Sequence, residues 1–251
     1  MTTLTLLTKI SNNCQLKRIE KAIALAFEGL EVEAKILGTV ADGWVQIALT
    51  GEDERIATNY VTQEIALCPS NFGNIKKDST FNGYISDFGT NESLYIDVGV
   101  FLPKIVHATI SLRCLQAQLV DGRKIPLGKI AELFGFCRNS PLSVKVSRLN
   151  TEKNLIEAEL STGQIERYQI WRESLLDRLL VLGVSLYEIN VTLRNAKLTR
   201  DVIDVEPLGL LEHALTCKLG TDAAGLIPKI GRILKSANFS VFNAKKVKNL
   251  F

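Results

Sequence analysis

Two neighbouring runs, Thr80–Gly89 and Ser93–Val100, alternate polar and apolar residues at period two, a pattern that becomes a one-sided surface only when the chain is extended. In the first run Phe81, Gly83 and Ile85 share one face and Tyr84, Ser86 and Phe88 the other. In the second, Leu94, Ile96, Val98 and Val100 oppose Ser93, Tyr95 and Asp97. The aliphatic faces are expected to bury, which leaves Tyr84, Phe88 and Tyr95 together on the opposite side. A helical or mixed stretch, Ile105–Phe136, interrupts the strands and is itself broken at Asp121-Gly122. Alternation then returns at Leu142–Ser147 and Ile156–Leu160, with a turn at Asn150–Asn154.

The first seventy residues are organised differently. Thr3–Leu7 reads as a strand, Cys14–Gly29 as an amphipathic helix on Ile19, Ala22, Ile23, Leu25, Ala26 and Leu30, and Val32–Leu37 and Trp44–Leu49 as two further strands. Ala41-Asp42-Gly43 between them carries an Asp-Gly hairpin signal. The acidic Gly51-Glu52-Asp53-Glu54 opens a second helix that Cys68-Pro69 stops. Strand, helix, strand, strand, helix is most of a ferredoxin-like unit. Near the C-terminus, Ile165–Leu182 is predicted as one helix. Val184–Leu193, Val202–Val205 and Leu211–Leu219 are predicted as strands, and Gly220-Thr221-Asp222 leads into another helix. Phe239–Phe242 closes the unit as a strand. The Gly-x-Asp turn before a helix occurs in both outer segments, as an old duplication or shared strand-to-helix chemistry would each give. The predicted division is a ferredoxin-like domain over 1–72, a strand-rich middle segment with a helical insertion over 73–162, and an α+β domain over 163–251.

Composition excludes several classes. With 251 residues, 46% apolar and 23% charged, the chain is of ordinary globular character and long enough for two or three domains. No apolar stretch approaches the roughly 20 residues that cross a bilayer, and the N-terminus lacks the layout of a secretory signal. Five scattered cysteines fit buried thiols in a reducing cytoplasm rather than a disulfide framework. Two histidines and no Cys-x-x-Cys argue against a metal site of ordinary zinc spacing. The net charge of +3 is uneven: residues 1–70 carry −3, 71–150 carry +4, 151–206 carry −3 and 207–251 carry +5. Phosphate contact is therefore expected in the second and fourth segments.

The middle segment resembles the oligonucleotide-binding barrel repeated in ribosomal protein S-one. The residues that carry the resemblance are Gly83-Tyr84-Ile85-Ser86-Asp87-Phe88-Gly89, Tyr95-Ile96-Asp97-Val98-Gly99, Val144-Lys145-Val146 and Ile156 through Leu160-Ser161, with 101–140 unmatched. It implies RNA binding by stacking on exposed aromatics in a basic groove, with Phe88 where that family often places a stacking ring. Tyr84 and Tyr95 face the same way in this register, and Lys104, Lys145 and Arg148 are candidate phosphate contacts. There are departures. Leu94 stands where a second aromatic is usual, Thr90-Asn91-Glu92 is an added polar loop, and Asn150 and Asn154 replace an acid and a base. Glu157 and Glu159 are acidic, and the third strand is replaced by something longer and more helical. The opposed reading is that Tyr84 and Tyr95 pack against the neighbouring domains. Over its whole length the chain also resembles a small archaeal family grouped as domain of unknown function 2110. That likeness rests on Arg200-Asp201-Val202-Ile203, Leu211-Glu212-His213 and the run from Cys217 to Arg232. It implies an archaeal, cytoplasmic protein and brings no activity.

Other candidate chemistry is thinner. Gly220–Gly225 has the glycine spacing of a phosphate loop, but Leu226-Ile227 stands where Lys-Ser or Lys-Thr is required. Lys218, Thr221, Lys229 and Arg232 remain as a second candidate phosphate site around a helix start, against the commoner reading that Thr221 or Asp222 caps that helix. His213 and Cys217 lie roughly 13 Å apart on one strand, too far to form a nucleophile pair. Asp201, Asp204 and Glu206, and the tail Lys245–Lys248, read as solvated charge. The expected function is non-catalytic RNA binding in archaeal translation or RNA processing. RNA, the ribosome and RNA-processing proteins are the expected partners, and no cofactor or metal is expected. A protein-interaction adaptor with a purely structural barrel is the alternative, and an enzyme is the third and least supported reading.

Overall fold

A computed structural model of the protein describes residues 1–89 and 93–250; the loop Thr90-Asn91-Glu92 lies outside them. The chain begins with β1 (Thr2–Lys9), α1 (Asn13–Ala26), β2 (Val32–Val40), β3 (Trp44–Gly51) and α2 (Glu54–Tyr60), which continues into a π-helical turn at Val61–Ile65. The Asn12 side chain accepts the Gln15 N–H at 3.1 Å and so fixes the start of α1. Ile19 and Ile23 on that helix pack on Val45, Ile47 and Leu49, one face of an antiparallel sheet ordered β1-β3-β2. Beyond the π turn the chain returns beside β1, where Leu67 bridges Leu6 and the Cys68 N–H reaches Thr5 O at 2.9 Å. This rudimentary fourth strand completes the ferredoxin-like order expected of the segment.

The middle segment holds β4 (Ser70–Asn71), a 3-10 turn at Phe72–Asn74, β5 (Thr80–Gly89), β6 (Ser93–Leu102), β7 (Val106–Ser111), α3 (Leu112–Leu119), α4 (Leu127–Phe134), β8 (Pro141–Asn150) and β9 (Leu155–Leu160). Strand β5 pairs antiparallel with β6 and β8, β6 with β7, and β8 with β9, while β7 and β9 pair in parallel. The ring is closed, a five-stranded Greek-key barrel of oligonucleotide-binding type. The third strand is therefore present as β7, and the helices α3 and α4 are inserted between it and the fourth rather than replacing it. Ile85, Leu94, Ile96, Val100, Val144, Val146 and Ile156 bury inside, as the alternation predicts, and so do Ala108 and Ile110 of β7, from a stretch expected to be helical or mixed.

The last segment comprises α5 (Thr162–Ser174), β10 (Arg178–Leu182), α6 (Leu186–Asn195), β11 (Val202–Pro207), β12 (Glu212–Cys217), α7 (Ala223–Gly231), β13 (Asn238–Phe242) and α8 (Ala244–Lys248). Two expectations are corrected here. The predicted helix 165–182 stops at Leu175, which turns left-handed at φ +58°, and Arg178–Leu182 is a strand buried on both faces. Such a strand is a continuous apolar run, indistinguishable by periodicity from a helix. The predicted strand Val184–Leu193 is helix α6, started by a capping box in which Ser185 and Glu188 hold each other's backbone N–H.

The sheet order β11-β12-β10-β13, all antiparallel, makes this unit ferredoxin-like as well. One face of its sheet, with Leu179, Val181 and Leu215, lies under α6 and α7. The other, with Leu180, Ala214 and Phe242, joins the core shared by the barrel, α4, α5 and α8. Phe242 stacks on Tyr168 there at 6.0 Å. Arg18 ties α1 to the same unit, with Nη1 donating to Gly183 O at 2.9 Å and Nε paired with Glu188 at 2.7 Å. No helix among the described residues is long and apolar enough to cross a membrane.

Candidate nucleic-acid interface

The outer face of the barrel over β5, β6 and β7 meets the N-terminal unit. Asp97 on β6 lies in register between Tyr84 on β5 and His107 on β7, all three pointing outward. Asp97 is almost wholly buried, which a carboxylate tolerates only with partners. Lys9 at the end of β1 supplies one, Nζ to Oδ2 at 2.7 Å, and the Gly99 N–H supplies another at 3.0 Å. Gly99 itself sits at φ +77° where a Cβ would come within 2.7 Å of the Cys68 sulfur, so the N-terminal unit can seat only on a glycine here. Burial, with Asp97 close by, pushes the Cys68 thiol up, so it stays neutral beside the ion pair.

Tyr84 is packed under the N-terminal unit, edge-on to Trp44 at 5.6 Å. Its hydroxyl donates to Glu212 Oε2 at 3.2 Å, with Leu7 O at 3.4 Å, so one phenol touches all three units. The expectation that Tyr84 offers a ring face to a base is corrected: 4% of the residue is exposed. Burial pushes the Glu212 carboxyl up to about 7, against the Leu211 N–H and Tyr84 hydrogen bonds that pull it down.

Phe88 departs for a different reason. Between Ile85 and Asp87 strand β5 gains a residue on β6, a β-bulge at Ser86. The bulge inverts the parity downstream, so Phe88 pairs with inward-facing Leu94 and packs toward Pro126, Leu127 and Phe136 on the α4 side. Tyr95 keeps the outward face. It borders a cleft of about 410 Å³ between the β2–β3 hairpin and the barrel, formed with Lys9, Asp42, Ser86, Asp87, His107 and Arg138. None of these six was singled out in the sequence. Asp42 was visible only as a hairpin turn residue, and Arg138 lies in a connection without a motif.

The remaining predicted contacts do not converge on this cleft. Lys104 is exposed between β6 and β7. Lys145 pairs with Thr80 at the far end of β5 and has Asp78 and Glu159 at 3.6 and 3.9 Å. Arg148 has Glu157 at 3.9 Å. In the C-terminal unit, Lys218 and Thr221 border a small depression with Asp177, Asp222 and Lys245. The Asp222 carboxylate accepts the Ala224 and Gly225 N–H groups at 3.1 and 3.2 Å. The helix start is thus capped by a negative charge instead of open to a phosphate. Lys229 and Arg232 sit at the other end of α7, roughly 10 Å along the axis at 1.5 Å per residue. His213 and Cys217 are both buried on β12. Burial holds the imidazole down to about 4, and burial with Asp177 nearby pushes the thiol up to about 11, opposite to an activated pair. Glu206 is engaged by Trp171 Nε1 at 3.1 Å and Arg167 Nε at 3.0 Å.

The DUF2110 N-terminal domain matches residues 3–76, the DUF2110 central domain residues 75–172 and the DUF2110 C-terminal domain residues 176–242. The chain belongs to the DUF2110 family. Similar solved structures of this DUF2110 chain include GSP13 from Bacillus subtilis, 11% identical over 36% of this chain and 58% of that one, at a TM-score of 0.27. The intact alpha subunit of aIF2 from Pyrococcus abyssi is 10% identical over 66% and 96% of the two chains, at 0.27. A chain of the a/eIF2alpha-aDim2p-rRNA complex from Pyrococcus horikoshii OT3 is 9% identical over 51% and 70%, at 0.25. The DUF2110 chain thus spans 58% of the length of the GSP13 chain. No curated protein matches it.

Proposed function

We propose that this DUF2110 protein binds single-stranded RNA without catalysing its conversion, in the cytoplasm of an archaeon, and that it acts in translation or RNA processing with the ribosome as a partner. The observation that carries the proposal is the cleft over β5–β7 of a closed barrel, the face through which such barrels take oligonucleotides. Tyr95 supplies a half-buried ring for one base. Arg138 is exposed with no ion pair among the described residues, so it is free for a phosphate. Asp42 and Asp87 add acceptors for ribose hydroxyls or exocyclic amino groups, which a featureless phosphate track would not have.

The test is anisotropy of a labelled RNA oligonucleotide at low salt. Tyr95→Ala is expected to weaken binding by roughly 1–3 kcal/mol, the worth of one stacked base. Arg138→Ala is expected to weaken it and to flatten its salt dependence. Lys145→Ala and Arg148→Ala are expected to leave affinity within about twofold, because those cations face carboxylates. Wild-type affinity in the Tyr95→Ala/Arg138→Ala double variant sinks the proposal. The adaptor reading is favoured by one observation, the packing of Tyr84 between units; it requires that no salt-dependent RNA binding be seen at all.

A further inference from the structure

His107 has its two nitrogens in different situations. Ser86 Oγ lies 3.1 Å from Tyr95 O and 3.2 Å from His107 Nδ1. A carbonyl has no proton to give, so the single Ser86 hydrogen is spent on Tyr95 and Nδ1 must carry the proton that Oγ accepts. The lone pair is then on Nε2. That atom is buried and has no hydrogen-bond partner among the described residues. What faces it is Asp42 Oδ2 at 3.8 Å, and an oxygen of Asp97 completes a trio whose atoms all lie within 4.8 Å of one another. In the neutral imidazole that lone pair faces carboxylate oxygens, and a cation placed between them satisfies all three groups.

We infer that Asp42, Asp97 and His107 form a binding site for a divalent transition-metal ion of zinc type. One imidazole and two carboxylates match the donor set such ions take, and the cleft leaves a coordination position for water or a ligand oxygen. The supporting shell is in place. Ser86 fixes the ring through Nδ1, and Lys9 and the Gly99 N–H hold the two oxygens of Asp97. Two aspartates and one lysine leave one net negative charge facing the site. In the tetrahedral geometry that zinc takes, ligand atoms roughly 2.1 Å from the metal stand about 3.4 Å apart, so a trio within 4.8 Å must close by up to about 1.4 Å. Asp42, half exposed on the β2–β3 turn, is free to make that move. The ion would join a hairpin of the N-terminal unit to two barrel strands. The inference does not depend on RNA binding.

The test uses the full-length chain carrying Cys14→Ser, which removes the exposed thiol, after stripping with a chelator and without RNA. Zn²⁺ is titrated calorimetrically, and Co²⁺ is followed by its visible absorption. Uptake of a single ion is expected, with Asp42→Asn and His107→Gln each weakening it by about tenfold or more. Both variants are checked for a wild-type circular dichroism spectrum, and Asp42→Asn, at an exposed turn, keeps the test meaningful if His107→Gln disturbs the strand. Absence of saturable uptake overturns the assignment, and so does uptake that survives both substitutions. RNA affinity of the stripped protein, measured separately, shows whether the two readings fail together or apart.

Discussion

At the scale of single residues, Glu212 ties the stability of this molecule to pH. Its carboxyl is 3% exposed at the meeting of three units, with Tyr84 and the Leu211 N–H as donors and no cation in an ion pair with it among the described residues. The neighbouring His213 is kept neutral by the same burial, and Lys9 is spent on Asp97. Because the folded pKa of about 7 stands above the ordinary value of 4.5, the folded state holds a proton that the unfolded chain has released. Stability is therefore full below pH 4.5, falls as pH rises toward 7 and levels off above it, a loss of about 3 kcal/mol. Glu212→Gln keeps an acceptor for Tyr84 and has no proton to lose. Urea unfolding of both proteins from pH 5 to pH 9 is expected to show a stability gap that widens in favour of the variant up to neutrality. Parallel curves mean that Glu212 is not buried as described.

Among elements, the two Gly-x-Asp turns show how one sequence motif acquires two structures. Asp222 caps α7 through both carboxylate oxygens, whereas Asp53 makes no cap bond and instead accepts the Glu31 N–H at 2.8 Å. Asp222→Ala is accordingly expected to lower stability by about 1 kcal/mol in chemical denaturation, with the fold unchanged by circular dichroism. Much at this scale was legible in the chain. Four of the five barrel strands, the Asp42-Gly43 hairpin and the first helix follow from period and turn chemistry, whereas β7 lies in a stretch that reads as helical or mixed. The misread elements have definite causes. Arg178–Leu182 is buried on both faces and shows no alternation, while α6 carries its information in the Ser185–Glu188 box and not in its apolar spacing. The aromatic face failed for a third reason. A bulge is a local excess of one residue that no period reveals, and the burial of Tyr84 is decided by a partner some forty residues away, Trp44. The cleft was illegible because Lys9, Asp42, Ser86, His107 and Arg138 are scattered along the chain and meet only when the hairpin lies on the barrel.

The whole molecule consists of two ferredoxin-like units packed about a barrel, with charged and polar pins at the seams: Lys9 to Asp97, Tyr84 to Glu212, and Arg18 to Gly183 and Glu188. The largest core crosses from the barrel into the C-terminal sheet, so that sheet has no separate interior on that side. Parts bound in this way are expected to unfold together. The two tryptophans report on different units, Trp44 on the N-terminal sheet and Trp171 on α5. Trp44→Phe and Trp171→Phe, each leaving one emitter, are expected to give coincident urea transitions. Two separated midpoints would show that the units are independent.

The bulge at Ser86 makes the length of β5 an inherited property as consequential as its composition. Strand parity counts residues, so losing the Ser86 codon would leave Asp87 outward and Phe88 inward on a regular ladder, whereas β5 without the bulge but at its present length would turn Asp87 inward and Phe88 outward. Substitutions along β5 adjust what the cleft offers, whereas a single-codon deletion at the bulge keeps both faces and takes away the hydroxyl that meets His107 Nδ1. Among descendants of such a gene, lineages one residue shorter at this point are the ones in which His107 loses that support in one step.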